Sequence, residues 1–181
     1  MIDITDWVDG AAAVLEAWYP GEQGGTAIAD VLTGKYNPGG RLPFSWVKCI
    51  GQNPMYYSIK PSGRNYSYVE NDGKPLYPFG YGLSYTTFAY SDLKLSAEGE
   101  VSVSVTNTGK RDGDEIVRLY FRVKGSGRQR PHRELLAFRR VSLKAGETQR
   151  VTLPFDKRLF GEYGRDGVYE PPQGEVSIWV D

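Results

Sequence analysis

The hydrophobic pattern is clearest in the second half of the chain, where apolar and polar residues alternate. The valines at 101, 103 and 105 alternate with Ser102, Ser104 and Thr106, which is typical of a strand with one buried face. Comparable short segments recur, and they predict strands near 88–95, 101–106, 116–123, 135–143, 151–155, 168–169 and 176–180. About seven short strands over roughly 95 residues predict an immunoglobulin-like or fibronectin III-like β-sandwich.

The first 50 residues have a different pattern, which predicts part of an α/β domain. Residues 11–18 are strong helix formers that Asp9 could cap, so a helix is predicted there. The apolar spacing predicts a second helix over 24–32, and Gly34 stands where a C-terminal glycine is expected. Residues 41–46 are then predicted to be extended. The fold class is therefore mainly β, with an incomplete α/β unit before the sandwich.

Between these two parts, residues 51–84 mix tyrosine and phenylalanine with proline and glycine and show little periodicity. So many aromatic rings argue against disorder. We therefore predict a linker that lies on the first part of the chain and buries its rings. The predicted organisation is 1–50, a remnant of an α/β domain; 51–84, an aromatic connector; and 85–181, a complete β-sandwich.

Composition excludes several classes of protein. The 181 residues carry 22 Lys and Arg against 22 Asp and Glu, so a protein that binds nucleic acid through a large positive charge is not expected. No apolar run approaches the ~20 residues of a membrane span. Cys49 is the only cysteine and His132 the only histidine, which excludes an internal disulfide and a cluster of thiols or imidazoles around a metal. We expect no metal and no cofactor.

The neutral total conceals a basic region in the predicted sandwich. Residues 110–150 contain twelve Lys and Arg against five Asp and Glu, and the densest part, 125–133, has the glycine and proline of a loop. Nucleic-acid recognition would need a basic face with aromatic or groove-reading elements. We interpret the segment as a solvated loop, or as one that contacts the rest of the enzyme or a second subunit.

Motifs along nearly the whole chain resemble the C-terminal part of glycoside hydrolase family 3, the β-glucosidases and β-xylosidases. Three segments resemble the end of the second domain of that family, and a fourth resembles the link to its fibronectin III-like domain. Short motifs after residue 106 resemble that last domain. The segments are Ala17–Gly25, Ala29–Gly34, Tyr36–Pro43, Leu76–Thr86, Asn107–Gly109, Gly113–Glu115, Arg130–Pro131, Glu134–Leu135 and Leu143–Glu147.

The resemblance implies an activity and also the absence of its catalytic groups. Members of the family cleave terminal β-linked sugars with retention, which requires two carboxylates about 5 Å apart. In the family these are an Asp of an N-terminal barrel and, usually, a Glu upstream of the segment that resembles Trp18–Gly21. Neither motif is present, so we expect no catalytic residue in this chain.

Local carboxylates are poor substitutes for the missing pair. Glu16 is more simply explained as a solvated helix residue, Asp30 as a structural residue, and Glu22 as a cap of the second helix, where a carboxylate meets the positive end of the dipole. Residues at the rim of a substrate site remain candidates: Trp18 and Glu22 near the family-like loop, and Tyr66 and Tyr68 in the connector.

These observations favour a C-terminal portion of a β-glycosidase that gives structural support and is inactive alone. Its expected partners are the N-terminal catalytic domains, and an oligosaccharide or a plant polysaccharide is a further candidate. The chain could also self-associate through exposed residues 1–50. Binding to nucleic acid or to a membrane is not expected. The alternative is a stand-alone sandwich module that binds carbohydrate or protein. Localisation stays open, with a secreted or periplasmic parent as a candidate.

Overall fold

The computed structural model describes residues 3–63, 66–67 and 71–181. Its α-helices are α1 (Thr5–Val8) and α2 (Gly24–Leu32), and short 3-10 helices lie at Ile50–Gln52 and Lys157–Phe160. The prediction of α2 is confirmed, and Gly34 follows its end with a φ of +73°, a left-handed conformation that glycine adopts without a steric penalty. Over the described ranges, no helix is long and apolar enough to cross a membrane.

The helix predicted over residues 11–18 is wrong, because this segment has no regular secondary structure. Val14, Leu15 and Trp18 are exposed, so no tertiary contact buries an apolar helix face here. A helix of about eight residues is marginal without such packing. The segment Val14–Tyr19 therefore lies open, with Tyr19 fully exposed at 100%.

The sandwich prediction is confirmed by the strands. Two three-stranded antiparallel sheets have the orders β1-β2-β5 and β4-β3-β8, and β6 and β7 form a separate pair. The bounds are β1 Phe88–Leu95, β2 Glu100–Asn107, β3 Gly113–Lys124, β4 Glu134–Leu143, β5 Thr148–Pro154, β6 Glu162–Tyr163, β7 Tyr169–Glu170 and β8 Glu175–Val180.

The core of the sandwich follows from the alternation in the sequence. The inward residues of β2, β3, β4 and β5 form one cluster, whose members are Val101, Val103, Val105, Val117, Leu119, Val141, Leu143, Val151 and Leu153. On β3 the intervening residues Arg118 and Tyr120 point to the opposite face of the sheet. They are nevertheless buried, at 8% and 0% exposure, so this outer face must also be covered.

The connector supplies that cover. Its residue Gly80 accepts a hydrogen bond from Arg118 Nη1 through the carbonyl oxygen, and the Tyr57 hydroxyl oxygen accepts one from the Leu135 amide at 3.2 Å. Toward the first part of the chain, Trp46 pairs with Tyr77 in an isolated bridge. The connector thus lies against both flanking parts, although several of its rings, such as Tyr56 at 65%, remain exposed. The division at residues 50 and 84 stays a prediction.

Candidate functional site

The predicted rim residues occupy two separate places. Trp18 is 55% exposed, and its ring meets Phe44 edge-to-face at 5.6 Å between centroids. Glu22 is exposed on the loop before α2, and Tyr66 is exposed on the connector. Tyr68 lies outside the described residues. Within the described ranges, no hydrogen bond, ion pair or ring contact joins Trp18 or Glu22 to Tyr66.

The carboxylates near the family-like loop have structural partners or none. Glu16 Oε1 accepts from the Trp18 amide at 2.9 Å, and Asp30 pairs with Lys35 at 3.0 Å. The capping role predicted for Glu22 is wrong. The N-cap residue, immediately before the first residue of α2, is Gln23, and no side-chain hydrogen bond caps the helix there. The helix start is closed instead by the backbone bond from Gly24 N to Gly21 O at 3.1 Å.

A network of polar side chains joins residues 31–85 to the sandwich, and we call this contact the junction. Its centre is an ion pair between Arg41 Nη2 and Glu115 Oε2 at 2.6 Å, with side-chain exposures of only 10% and 8%. Tyr90 of β1 donates to the other Glu115 oxygen at 3.1 Å. Burial, together with the Glu115 carboxylate, raises the pKa of Tyr90 well above its usual range, so its hydroxyl keeps the proton that it donates.

Asn37 binds the junction at a second point. Its amide nitrogen donates to Asp112 O at 2.9 Å, and its oxygen accepts from the Tyr85 amide at 2.7 Å and from Ser84 Oγ at 2.9 Å. Gly39, in the same turn, lies so close to the sandwich that an added Cβ would stand 2.7 Å from Asp114 Cβ. The Asn37–Gly40 turn therefore needs its asparagine for hydrogen bonds and its glycine for close approach.

Arg140 extends the junction through Asp114. Its guanidinium is bonded to the Asp114 carboxylate and to the Tyr36 hydroxyl at 3.2 Å. Burial opposes ionisation of Asp114, but hydrogen bonds from Ser142 and Arg140 outweigh it and hold the pKa of Asp114 below its ordinary value. A carboxyl with a depressed folded pKa stabilises the fold above its unfolded pKa, and this stabilisation disappears as the pH falls through the folded pKa.

We therefore expect the Asp114→Asn substitution to reduce stability at neutral pH only. The free energy of unfolding should fall by about 1 kcal/mol near pH 7, since Arg140 is largely exposed, and by close to nothing near pH 2. Urea unfolding of both proteins across this pH range measures the difference. A loss of the same size at every pH would show that the carboxylate charge is not responsible.

Two of the three arginines of the basic loop, residues 125–133, form ion pairs with glutamates. Arg128 pairs with Glu170 at 3.1 Å, Arg130 pairs with Glu134 at 3.0 Å, and Gln129 donates to the Pro61 carbonyl of the connector. The loop thus contacts the connector of the same chain, and its predicted contact with the rest of the enzyme or with a second subunit stays a prediction.

Two cavities lie along the contact between the sandwich and the preceding residues. The first, of about 460 Å³, is a polar cleft between residues 34–37 and 111–114. The second, of about 270 Å³, lies between the connector and the sandwich and is walled by aromatic rings. Among the described residues, no cluster of three or more His, Cys, Asp or Glu could hold a metal ion.

Sequence reasoning did not find the junction, although its residues were visible. Arg41 follows the predicted turn and Glu115 immediately precedes a predicted strand, but 74 positions separate them. A charged residue next to apolar strand positions, such as Glu115 or Arg118, is the signal that could have indicated a buried charge. Its partner requires the tertiary structure.

Comparison with known protein families agrees with this architecture. Residues 1–85 match the family model described as the glycosyl hydrolase family 3 C-terminal domain, and residues 115–181 match that of the fibronectin type III-like domain. The chain is 41% identical to a periplasmic β-glucosidase of Salmonella typhimurium over 94% of its own length and 24% of the relative's. It is 43% identical to a xylan 1,4-β-xylosidase of Xylanibacter ruminicola, covering 80% of this chain and 17% of that protein.

Solved structures give the same result. A β-glucosidase of Erythrobacter marinus matches with a TM-score of 0.88 and 43% identity, over 97% of this chain and 24% of that one. A β-glucosidase of Listeria innocua in complex with glucose matches with a TM-score of 0.89 and 31% identity, over 99% and 27% of the two chains. The chain spans about a quarter of the length of these relatives.

Proposed function

The chain belongs to glycoside hydrolase family 3 and corresponds to the C-terminal part of its members, and on this premise we propose that it supports the catalytic domains of a retaining β-glycosidase. The whole enzyme would remove terminal β-glucose or β-xylose. Residues 1–50 would complete the α/β domain, residues 51–84 would link it to the sandwich, and residues 85–181 would form the supporting β-domain. The chain itself would contribute no catalytic carboxylate.

The observation that carries this proposal is the apolar surface of the first 20 residues. Val14 and Leu15 are 47% and 40% exposed, Trp18 is 55% exposed, and Trp7 of α1 is 51% exposed. Exposed apolar side chains that are close in sequence are candidates for an interaction site. The junction occupies the sandwich side of residues 31–85, so the first 20 residues offer a different surface to the catalytic domains.

Trp18, Glu22, Tyr66 and Tyr68 keep the role of proposed rim residues in the assembled enzyme. Support comes from the exposure of Trp18 and Tyr66 and from the contact of Trp18 with Phe44, which restrains the loop. An indole face held at the edge of such a surface suits the C–H face of a sugar ring. Glu22, four positions further along the same loop, would add a hydrogen-bond acceptor.

The direct test is hydrolysis of nitrophenyl β-glucoside and β-xyloside by the purified chain. We expect no turnover above a mock purification, because the paired carboxylates of a retaining mechanism are not supplied by this chain. Turnover that follows the protein through purification and is lost in Glu22→Gln would contradict the proposal.

Limited proteolysis should report which segment is unprotected. We expect chymotrypsin to cut first after Trp18, because this segment is exposed and has no regular structure, whereas the bond after Tyr19 is protected by Pro20. The stable product should begin near residue 20 and keep the connector, which the junction holds in place. A first stable product beginning near residue 85 would show that the connector is not held.

The same exposed segment is the proposed route to self-association. Residues 1–50 of the separate chain would associate through Val14–Tyr19, and polar substitutions at Val14 and Leu15 should shift the sedimentation profile toward monomer.

Binding to a plant polysaccharide is the competing proposal. Retardation of the chain in xylan or β-glucan gels that depends on Tyr66 or Tyr68 would favour it.

A further inference from the structure

We propose that the cavity between the connector and the sandwich binds a small molecule made of a ring and a carboxylate. This proposal does not depend on the activity of the parent enzyme. Its volume is about 270 Å³, and its chemically distinctive lining residues are Ser45, Tyr56, Tyr57, His132, Arg133 and Trp179.

The charge of the cavity indicates an anion. Arg133 lines it, and no aspartate or glutamate among the described residues does. In the described part of the chain, Arg133 has no carboxylate within ion-pair distance, whereas Arg128 and Arg130 of the same loop both pair with glutamates. A partly buried guanidinium without a counter-ion favours a carboxylate, which it binds through two parallel hydrogen bonds.

The Arg133 guanidinium is held in place by an aromatic ring of the sandwich. It lies over the ring of Tyr120, 5.5 Å from the centroid, and Tyr120 stacks on Trp179 at 5.9 Å. Tyr120 is fully buried behind the cavity wall, so the ring under the Arg133 guanidinium is fixed by the packing of the sandwich.

The aromatic walls indicate that the rest of the ligand is a ring. Tyr57 is fixed by stacking on Phe79 at 4.3 Å and by the hydrogen bond from the Leu135 amide. Trp179 is fixed on β8 by Tyr120. The His132 amide donates to Ile59 O at 3.0 Å and joins the two sides of the cavity. These walls are formed without a ligand, which reduces the ordering cost of binding.

Two sources supply this chemistry: aromatic acids and sugar acids. The probes are therefore 4-hydroxybenzoate and glucuronate, each compared with its neutral methyl ester. The 181-residue chain has four tryptophans, so its ¹H–¹⁵N spectrum contains few indole signals, and Trp179→Phe assigns the relevant one. We expect saturable shifts of the Trp179 signal with at least one acid, and the acid that binds more tightly identifies the source.

The control variants separate the charge from the fold. Arg133→Gln should weaken binding at least about tenfold, because a hydrogen bond to a charged group is lost, and the methyl ester should bind the original chain comparably weakly. Arg139→Gln, the same substitution at an exposed site on β4, should bind as the original chain does. A well-folded chain that binds neither acid at millimolar concentration overturns the proposal. Equal binding of acid and ester, or of the two variants, also overturns it.

Discussion

Replacing Arg41 with methionine should lower the free energy of unfolding by about 3–5 kcal/mol, because it leaves the Glu115 charge buried without an opposite charge. Glu115 is 6% exposed, and its oxygens are shared between Arg41 and Tyr90. The loss should also loosen residues 31–46 from the sandwich. Urea unfolding measures the first effect, and hydrogen exchange at residues 42 and 46 measures the second.

The matched control is Lys48→Met, which breaks the exposed pair between Lys48 and Asp72 at 2.7 Å. Its effect should stay within about 1 kcal/mol, as for other surface pairs. The double variant Arg41→Met with Glu115→Leu removes both buried charges and should recover a large part of the lost stability. Equal effects of Arg41→Met and Lys48→Met would show that the junction is not a buried ionic contact.

The second large effect is expected at Asn107, which ends β2 and is 0% exposed. Its amide nitrogen donates to Arg111 O at 2.7 Å and to Leu143 O at 3.1 Å. Its oxygen accepts from Thr86 Oγ1 at 2.6 Å and from the Gly109 amide at 3.1 Å. Asn107→Ala leaves several buried groups unsatisfied, at about 1–3 kcal/mol each, so we expect a total loss of about 3 kcal/mol or more.

Thr106→Ala is the neighbouring control on the same strand. The Thr106 hydroxyl meets that of Thr148 on the exposed side, at 2.8 Å, and its removal should cost under about 1 kcal/mol. Thermal unfolding of both variants gives the comparison. If Asn107→Ala were as mild as Thr106→Ala, water would be replacing the lost partners, and the turn after β2 would be less closed than the structure shows.

The sandwich was predictable because its signal is local. The alternation of Val101, Val103 and Val105 defines the inner face of β2 without knowledge of its neighbours, and the apolar spacing of α2 does the same for a helix. The short pair β6-β7 was only half predicted, since a strand of two residues has no period to detect. Pattern therefore identifies elements long enough to bury a face of their own.

The candidate sites were less predictable, because they depend on contacts between distant residues. The pairing of Arg41 with Glu115 and the approach of Arg118 to Gly80 arise only when the residues before the sandwich pack against β3. Residues 11–18 show the reverse case, in which strong local helix propensity receives no support from the rest of the chain. In both, tertiary packing decides the outcome and leaves no periodic trace in the sequence.

The most direct test of the supporting role is a chimera with the Salmonella typhimurium β-glucosidase, to which the chain is 41% identical. The chain would replace the corresponding C-terminal quarter of that enzyme. We predict that the chimera is soluble and hydrolyses nitrophenyl β-glucoside, that the enzyme without this quarter does not, and that Arg41→Met in the chimera lowers its unfolding temperature. A chimera as inactive as the truncated enzyme, beside an active full-length control, would contradict the proposal that this chain completes a family 3 β-glycosidase.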